Sequence, residues 1–305
     1  MTDPLLALAP TEPLGRGAFR RAPSQLLDAP APGQPAGRYH LYVSLACPWA
    51  HRTLIVRRLK RLEDAIGVTV VDPVRDGRGW RFPEPEPVNG FSFLAEAYLA
   101  TDPAYDGRFS VPVLWDTAAG RIVNNESAEI VVHLNERFDH LGDPGVDLYP
   151  AALRDEIDAV NAVVYANVND GVYRTGFAGS QEAYEAAFGR LFAALDALEL
   201  RLAGQRYLVG DRLTLADVRL YTTLVRFDAA YHGHFKCNLR RIVDYPALQG
   251  YLRDLYQRPG FGDTTDIDQI KRHYYLTHPQ LDPSGIVPLG PELQLDAPHG
   301  RDALP

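Results

Sequence analysis

Apolar and polar positions alternate through YHLYVSL, residues 39–45, with the two-residue period of a strand that buries one face. After Cys47-Pro48-Trp49 the pattern changes, and AHRTLIVRRLK has the apolar spacing and basic end of a helix. IGVTVVDP then predicts a second, buried strand, so the three segments make a right-handed βαβ unit. Residues 73–105, rich in Pro and Gly, read as an insertion, and beyond it SVPVLWD and RIV predict two short strands around a turn at Thr117 to Gly120. Asn124, Asn125 and Glu126 are polar capping residues directly ahead of SAEIVVHLNERF, a helix with an apolar stripe.

The order βαβ, ββ, α is that of a thioredoxin-like α/β domain, expected over residues 39–138. DHLGDPGVDLYP, residues 139–150, combines turn formers without a period and reads as a linker. Helices dominate afterwards, over an all-α domain expected to span residues 151–262. There Tyr184, Phe188, Leu191, Leu195, Leu198 and Leu202 fall on one helix face, and Thr214 with Asp217 forms a capping box ahead of another apolar helix. Residues 1–38, rich in Pro, Ala and Gly, read as an extended arm on the surface or on a partner subunit, and 263–305 as a Pro-rich tail packed on the helical domain.

The chain has 305 residues and a mass of 33.9 kDa, which fits two domains sharing an interface. With 46% hydrophobic and 23% charged residues it has an ordinary globular composition, and no apolar run reaches membrane-spanning length. The N-terminus lacks the marks of a secretory signal, so a cytoplasmic location is expected. A formal charge of −8 disfavours nucleic acid as a partner, because phosphate binding needs a basic surface. Two cysteines are too few for a disulfide scaffold, and neither stands at zinc-ligand spacing, so no metal is expected.

Cys47 lies where a strand meets a helix, and the free N–H groups and dipole of a helix start favour a thiolate nucleophile over a structural thiol. The resolving position of a dithiol motif, three residues on, is Ala50, so an external thiol must resolve any oxidised intermediate. That points to glutathione as a cosubstrate, with no bound cofactor. Cys237 lies in the helical half and reads as an inert packed thiol. Val111-Pro112 ahead of a strand is either a cis pair that exposes a backbone edge to a ligand or an ordinary edge-strand proline. Glu126-Ser127 is either a grip for the γ-glutamyl end of glutathione or a plain helix cap. His51, four residues after Cys47, is either a base or a helix-face residue bonded within its domain.

Six runs, RYHLYVSLACPWAHRTLIVRRLK, VPVLWD, IVNNESAEI, NDGVYRTGFA, YHGHFKCN and KRHYYLTHPQLDPSGIVPLGP, resemble those of glutathionyl-hydroquinone reductases, the Xi-class glutathione transferases. They occur in the family's order from about Tyr39 to Pro291. The resemblance implies the glutathione transferase fold, a homodimer, and reduction of glutathionyl-hydroquinones through a Cys47-glutathione mixed disulfide. It also implies that Trp80, the stretch Arg108, Phe109, Ser110 and Val111, and the pair Glu126 and Ser127 bind glutathione. Tyr173 is implied as the acid/base residue, and Tyr231 and Tyr274 as hydroxyls that approach the sulfur and lower its pKa. Phe109-Ser110 departs from the small or β-branched residues expected before Val111, which leaves backbone contacts intact. Trp80, Tyr173, Tyr231 and Tyr274 are expected to make an aromatic pocket for the quinol ring. A broader thioltransferase or dehydroascorbate reductase needs only Cys47 and the glutathione site, so Tyr173 discriminates it; a non-catalytic ligand-binding or regulatory protein of the same fold would tolerate loss of Cys47 with ligand affinity intact.

Overall fold

The computed structural model describes residues 3–8 and 15–305. Four strands, β1 (Tyr39–Val43), β2 (Ile66–Val70), β3 (Val113–Asp116) and β4 (Arg121–Asn124), form one sheet in the order β2-β1-β3-β4. β1 and β2 are parallel, with Tyr39 opposite Ile66, whereas β3 runs antiparallel to both β1 and β4. Helix α1 (Pro48–Leu59) crosses between β1 and β2; Pro48 occupies its first turn, where a missing N–H costs nothing, and Arg57 and Arg58 face the negative end of its dipole.

The insertion is not wholly irregular: α2 (Leu94–Thr101) lies between β2 and β3 and completes the thioredoxin-like topology. Its start is secured by Glu96, whose Oε1 accepts from the backbone N–H groups of Ser92 and Phe93 at 2.9 and 2.8 Å. The β3–β4 hairpin turns through Gly120, whose φ of 64° suits glycine, and Asp116 Oδ1 accepts from the N–H groups of Ala118 and Ala119. Helix α3 (Ser127–Glu136) follows β4 and packs beside α1.

Residues 137–150 carry no helix or strand and are tied to the end of α1 by Lys60, which donates to Asp139 Oδ1 at 2.6 Å and to Val146 O at 2.7 Å. The helical part comprises α4 (Arg154–Val164), α5 (Gly171–Gly176), α6 (Gln181–Leu202), α7 (Leu215–Arg226), α8 (His232–His234), α9 (Pro246–Tyr256) and α10 (Ile267–Thr277). Leu191, Leu195, Leu198 and Leu202 of α6 are buried, and Thr214 with Asp217 caps α7 reciprocally. Two π turns interrupt the α geometry: Tyr165–Asn169 leads into α5, and Phe227–Tyr231 leads from α7 into α8. The first leads into the helix that carries Tyr173, and the second itself ends on Tyr231.

The C-terminal segment contains α10, which the Pro-rich reading of the tail does not foresee. Beyond it, Arg301 is buried and donates to the carbonyls of Leu202, Gln205 and Arg206. Of the expected arm, residues 1–2 and 9–14 lie outside the described residues. Of the remainder, Asp3, Gly17 and Arg21 meet Arg201, Gly179 and Asp170 of the helical half, and residues 26–28 run along β4, where Asn125 N–H donates to Leu26 O and Asp28 N–H to Val123 O. No helix among the described residues is long and apolar enough to cross a membrane.

Candidate active site

Cys47 is the N-cap of α1 and is only 9% exposed. Its Sγ lies 3.7 Å from Val111 O, and the Val111–Pro112 peptide is cis. The loop before it is held from below by Arg226, a fully buried guanidinium whose Nε and Nη2 donate to Ala46 O and Leu45 O at 2.9 and 2.8 Å. Arg226 has no carboxylate partner among the described residues, and backbone carbonyls satisfy it instead. The sulfur opens into a cavity of about 440 Å³ between the two halves of the chain.

One side of this cavity is formed by the α/β half. Trp80 stacks on His273 of α10 at 5.1 Å and 16°, and the Arg75 guanidinium lies 5.0 Å from its ring centroid. Arg75 makes no hydrogen bond or ion pair among the described residues and lines the cavity together with exposed Arg108. Phe109 packs against Tyr98 and Tyr105, and Ser110 O accepts from the Tyr98 hydroxyl at 2.7 Å, which fixes the backbone ahead of Val111. At the head of α3, Glu126 Oε1 accepts from Ala128 N–H and its Oε2 from the hydroxyl of Ser24 on the arm. Ser127 Oγ receives an N–H from Arg52, itself anchored on Asn169 of the helical half.

The other side is aromatic. Tyr173 and Tyr274 line the cavity with their hydroxyls 2.7 Å apart, and the Tyr231 hydroxyl lies 2.8 Å from that of Tyr274. Tyr173 is half-buried, whereas Tyr274 and Tyr231 are 1% and 0% exposed. Desolvation pushes all three phenols upward, most for Tyr231 and Tyr274, so each holds its proton at neutral pH. The Cys47 thiol and two protonated phenols, backed by a third, thus share one enclosure, an arrangement suited to sulfur exchange coupled to proton donation.

The sequence as a whole agrees with this geometry. The profile "Glutathione S-transferase, N-terminal domain" matches residues 46–137, and "Glutathione S-transferase, C-terminal domain" matches 181–254. Glutathionyl-hydroquinone reductase PcpF of Sphingobium chlorophenolicum is 52% identical over 90% of each chain. Glutathionyl-hydroquinone reductase YqjG of Escherichia coli K12 is 49% identical over 94% of this chain and 93% of its own. The glutathione-bound structure of the E. coli protein superposes with a TM-score of 0.85 at 51% identity, covering 88% of this chain and 89% of that one. The chain belongs to the glutathionyl-hydroquinone reductases, the Xi class of glutathione transferases. The Xi-class transferase of Phanerochaete chrysosporium superposes at 0.88, with 51% identity over 90% of this chain and 93% of its own.

For this Xi-class chain, Cys47, Trp80, Arg108, Phe109, Ser110, Val111, Glu126, Ser127, Tyr173 and Tyr274 all line one cavity. Tyr231 does not. It is fully buried behind the cavity wall, its hydroxyl 2.8 Å from that of Tyr274 and its ring 6.1 Å from that of Tyr173, so it forms no wall for a quinol ring. His51 is excluded as a base: it is fully buried, with Nδ1 facing Arg226 at 3.0 Å and Nε2 facing Thr264 Oγ1 at 2.9 Å. Those partners lie in the helical half, so His51 bridges the halves instead of bonding within its own domain. Burial and then Arg226 hold His51 well below the usual imidazole range. Cys237 is buried and its thiol is pushed up by desolvation. Sequence reasoning missed Arg21, Arg75 and His273 in the cavity wall; Arg21 in particular lies in an aperiodic arm that carries no local signal.

Proposed function

We propose that this chain reduces glutathionyl-hydroquinones to hydroquinones, taking glutathione as cosubstrate and releasing oxidised glutathione. The observation that carries the reading is Cys47 sharing one cavity with the hydroxyl-bonded pair Tyr173 and Tyr274, in a chain about half identical to two glutathionyl-hydroquinone reductases. Residues 39–138 serve as the glutathione-binding unit and 151–262 present Tyr173 and Tyr231, with α10 adding Tyr274 from the tail. Glutathione takes its γ-glutamyl end to Glu126 and Ser127, where a helix start offers donors beside a carboxylate, and pairs with the backbone of Val111. Trp80 and the Arg108 stretch close over the rest.

A glutathionyl-hydroquinone is an aryl thioether, and direct thiolate attack on its sulfur would expel an aryl carbanion. Tyr173 removes that obstacle by giving its proton to the ring carbon that bears sulfur while a ring hydroxyl gives one up, which leaves a ketone tautomer. Cys47 then attacks the glutathione sulfur; the carbon–sulfur bond breaks, its electron pair enters the ring, and hydroquinone leaves as a phenolate that takes up a proton. A second glutathione thiolate attacks the Cys47-glutathione disulfide and regenerates Cys47. Over the cycle one glutathione thiol and the sulfur of the thioether become one disulfide, and the carbon–sulfur bond becomes carbon–hydrogen.

The test is purified protein with a synthetic glutathionyl-hydroquinone and glutathione, following hydroquinone and oxidised glutathione by chromatography. One of each per turnover is expected, and absence of hydroquinone refutes the reading. The same reading places the enzyme in the cytoplasm as a homodimer; light scattering at a monomer mass would refute the latter.

A further inference from the structure

We infer that Arg21, carried on the N-terminal arm, is a positioning residue for thioether cleavage: it holds the Tyr173 ring in the cavity wall and supplies the positive charge that proton loss from Tyr173 calls for. The inference rests on the reading of Tyr173 as the proton donor. Arg21 Nε donates to Asp170 Oδ1 at 2.8 Å, and Asp170, itself buried, is held from its other oxygen by Arg174 at 2.9 Å. So anchored, the guanidinium carbon stands 4.6 Å from the Tyr173 ring centroid, 4.8 Å from that of Trp49 and 5.5 Å from that of Phe19. Arg21 Nη2 is buried and has no hydrogen-bond partner among the described residues, so its N–H groups face π surface.

The attraction between a cation and an aromatic face grows as the ring becomes richer in electrons. A phenolate is far richer than a phenol, so a guanidinium held against Tyr173 stabilises the ring more after the proton has left than before. The other groups that face Tyr173 do not supply this. The Tyr274 hydroxyl is neutral, Tyr231 lies behind it, and the Cys47 sulfur, as thiolate, opposes a second negative charge. His278 in the same wall is held neutral by burial, which leaves Arg75 and Arg108 as the other cations lining the cavity. Arg21 alone among these is fixed over the ring.

The experiment is a double-mutant cycle with a pH profile on the full chain. Arg21→Met is expected to slow thioether cleavage about tenfold and to move the alkaline limb of its profile up by about one pH unit, because a phenol without its cation is a weaker acid. Arg21→Lys, which keeps the charge, is expected to leave that limb in place. Reduction of a small glutathione mixed disulfide is expected to fall by no more than about threefold in either variant, which also reports that they fold. In a Tyr173→Phe background the effect of Arg21→Met is expected to vanish. If Tyr173→Phe is severe and Arg21→Met still costs its full factor on top, or costs nothing alone, Arg21 does not act through Tyr173 and the inference falls by itself. If Tyr173→Phe leaves cleavage intact, the acid assignment falls and takes the inference with it.

Discussion

The hydroxyl of Tyr274 lies 2.7 Å from that of Tyr173, and its own position is fixed from behind by Tyr231 at 2.8 Å. A hydroxyl carries one proton and accepts through its lone pairs, so Tyr274 can donate toward one neighbour while accepting from the other. The three phenols therefore form one cluster, with Tyr173 and Tyr274 at the cavity and Tyr231 inside the protein. Ring stacking between Tyr231 and Phe235 at 5.5 Å and 12° keeps the inner end rigid. If Tyr173 gives up its proton, the Tyr274 hydroxyl is already placed to donate a hydrogen bond to the phenolate oxygen.

The two thiols should separate cleanly under alkylation. Cys47 opens into the cavity, whereas Cys237 is wholly buried and burial pushes its thiol up. Iodoacetamide near neutral pH is expected to modify Cys47 at least about tenfold faster, read by peptide mass spectrometry. Cys47→Ser is expected to retain less than a few per cent of turnover with glutathione affinity largely kept. Equal labelling of the two residues would remove the basis for Cys47 as nucleophile.

Arg226 is expected to govern the architecture of the cysteine loop more than the chemistry. Arg226→Met leaves Leu45 O and Ala46 O without their donors inside the protein and removes the partner of His51 Nδ1. Each unsatisfied buried carbonyl costs about 1–3 kcal/mol, so a loss of roughly 2–4 kcal/mol is expected in urea unfolding. A change below about 1 kcal/mol would mean that the loop finds other donors.

Buried histidines give the fold a direction of pH sensitivity. His234 and His278 face each other at 3.1 Å, and desolvation brings them down to about 4 and about 3, while burial holds His51 and His273 well below the usual range. The unfolded chain takes up protons on these rings near pH 6.5 and the folded chain does not, so the stability they allow is complete above about pH 6.5 and is lost as pH falls toward 4. The urea midpoint should therefore be lower at pH 5 than at pH 7, and His278→Asn should shrink the difference. A midpoint that stays level across this range would contradict the neutral state of the buried rings.

The Leu191 to Leu202 stripe lies where its spacing places it, and a strand precedes Cys47, but β1 is buried on both faces because it is an inner strand, whereas β2, expected to be buried, is half-buried beyond Ile66 because it is an edge strand. LAEAYLAT in the insertion carries Ala, Leu and Glu, which favour a helix, but the Pro and Gly on either side mask that short signal. The Pro-rich tail likewise concealed α10, whose start was marked by Asp266 capping Gln269 N–H at 2.9 Å. His51 shows the limit of spacing arguments: four residues after Cys47 suggests a shared face, but its ring is claimed by Arg226, 175 residues away in sequence. Arg21 meets Tyr173 only through the tertiary fold, and no local pattern announces such a contact.

The sharpest expectation is that Tyr173→Phe separates the two halves of the reaction. The phenol proton is needed where carbon must be protonated before it can leave sulfur, and is not needed where one sulfur replaces another. Cleavage of a glutathionyl-hydroquinone should fall by roughly a hundred- to ten-thousand-fold, the usual cost of losing a general acid. Reduction of a small glutathione mixed disulfide, whose leaving thiolate needs no proton on carbon, should fall far less. Phe keeps the ring that packs against Phe177 and Phe235, so a selective defect cannot be assigned to lost packing, and circular dichroism checks the fold. Parallel loss of both activities would mean that Tyr173 shapes the pocket or tunes Cys47, and the proton would then come from Tyr274, which keeps its hydroxyl in the cavity wall, or from water. Loss of neither would refute the proposed chemistry at its central step.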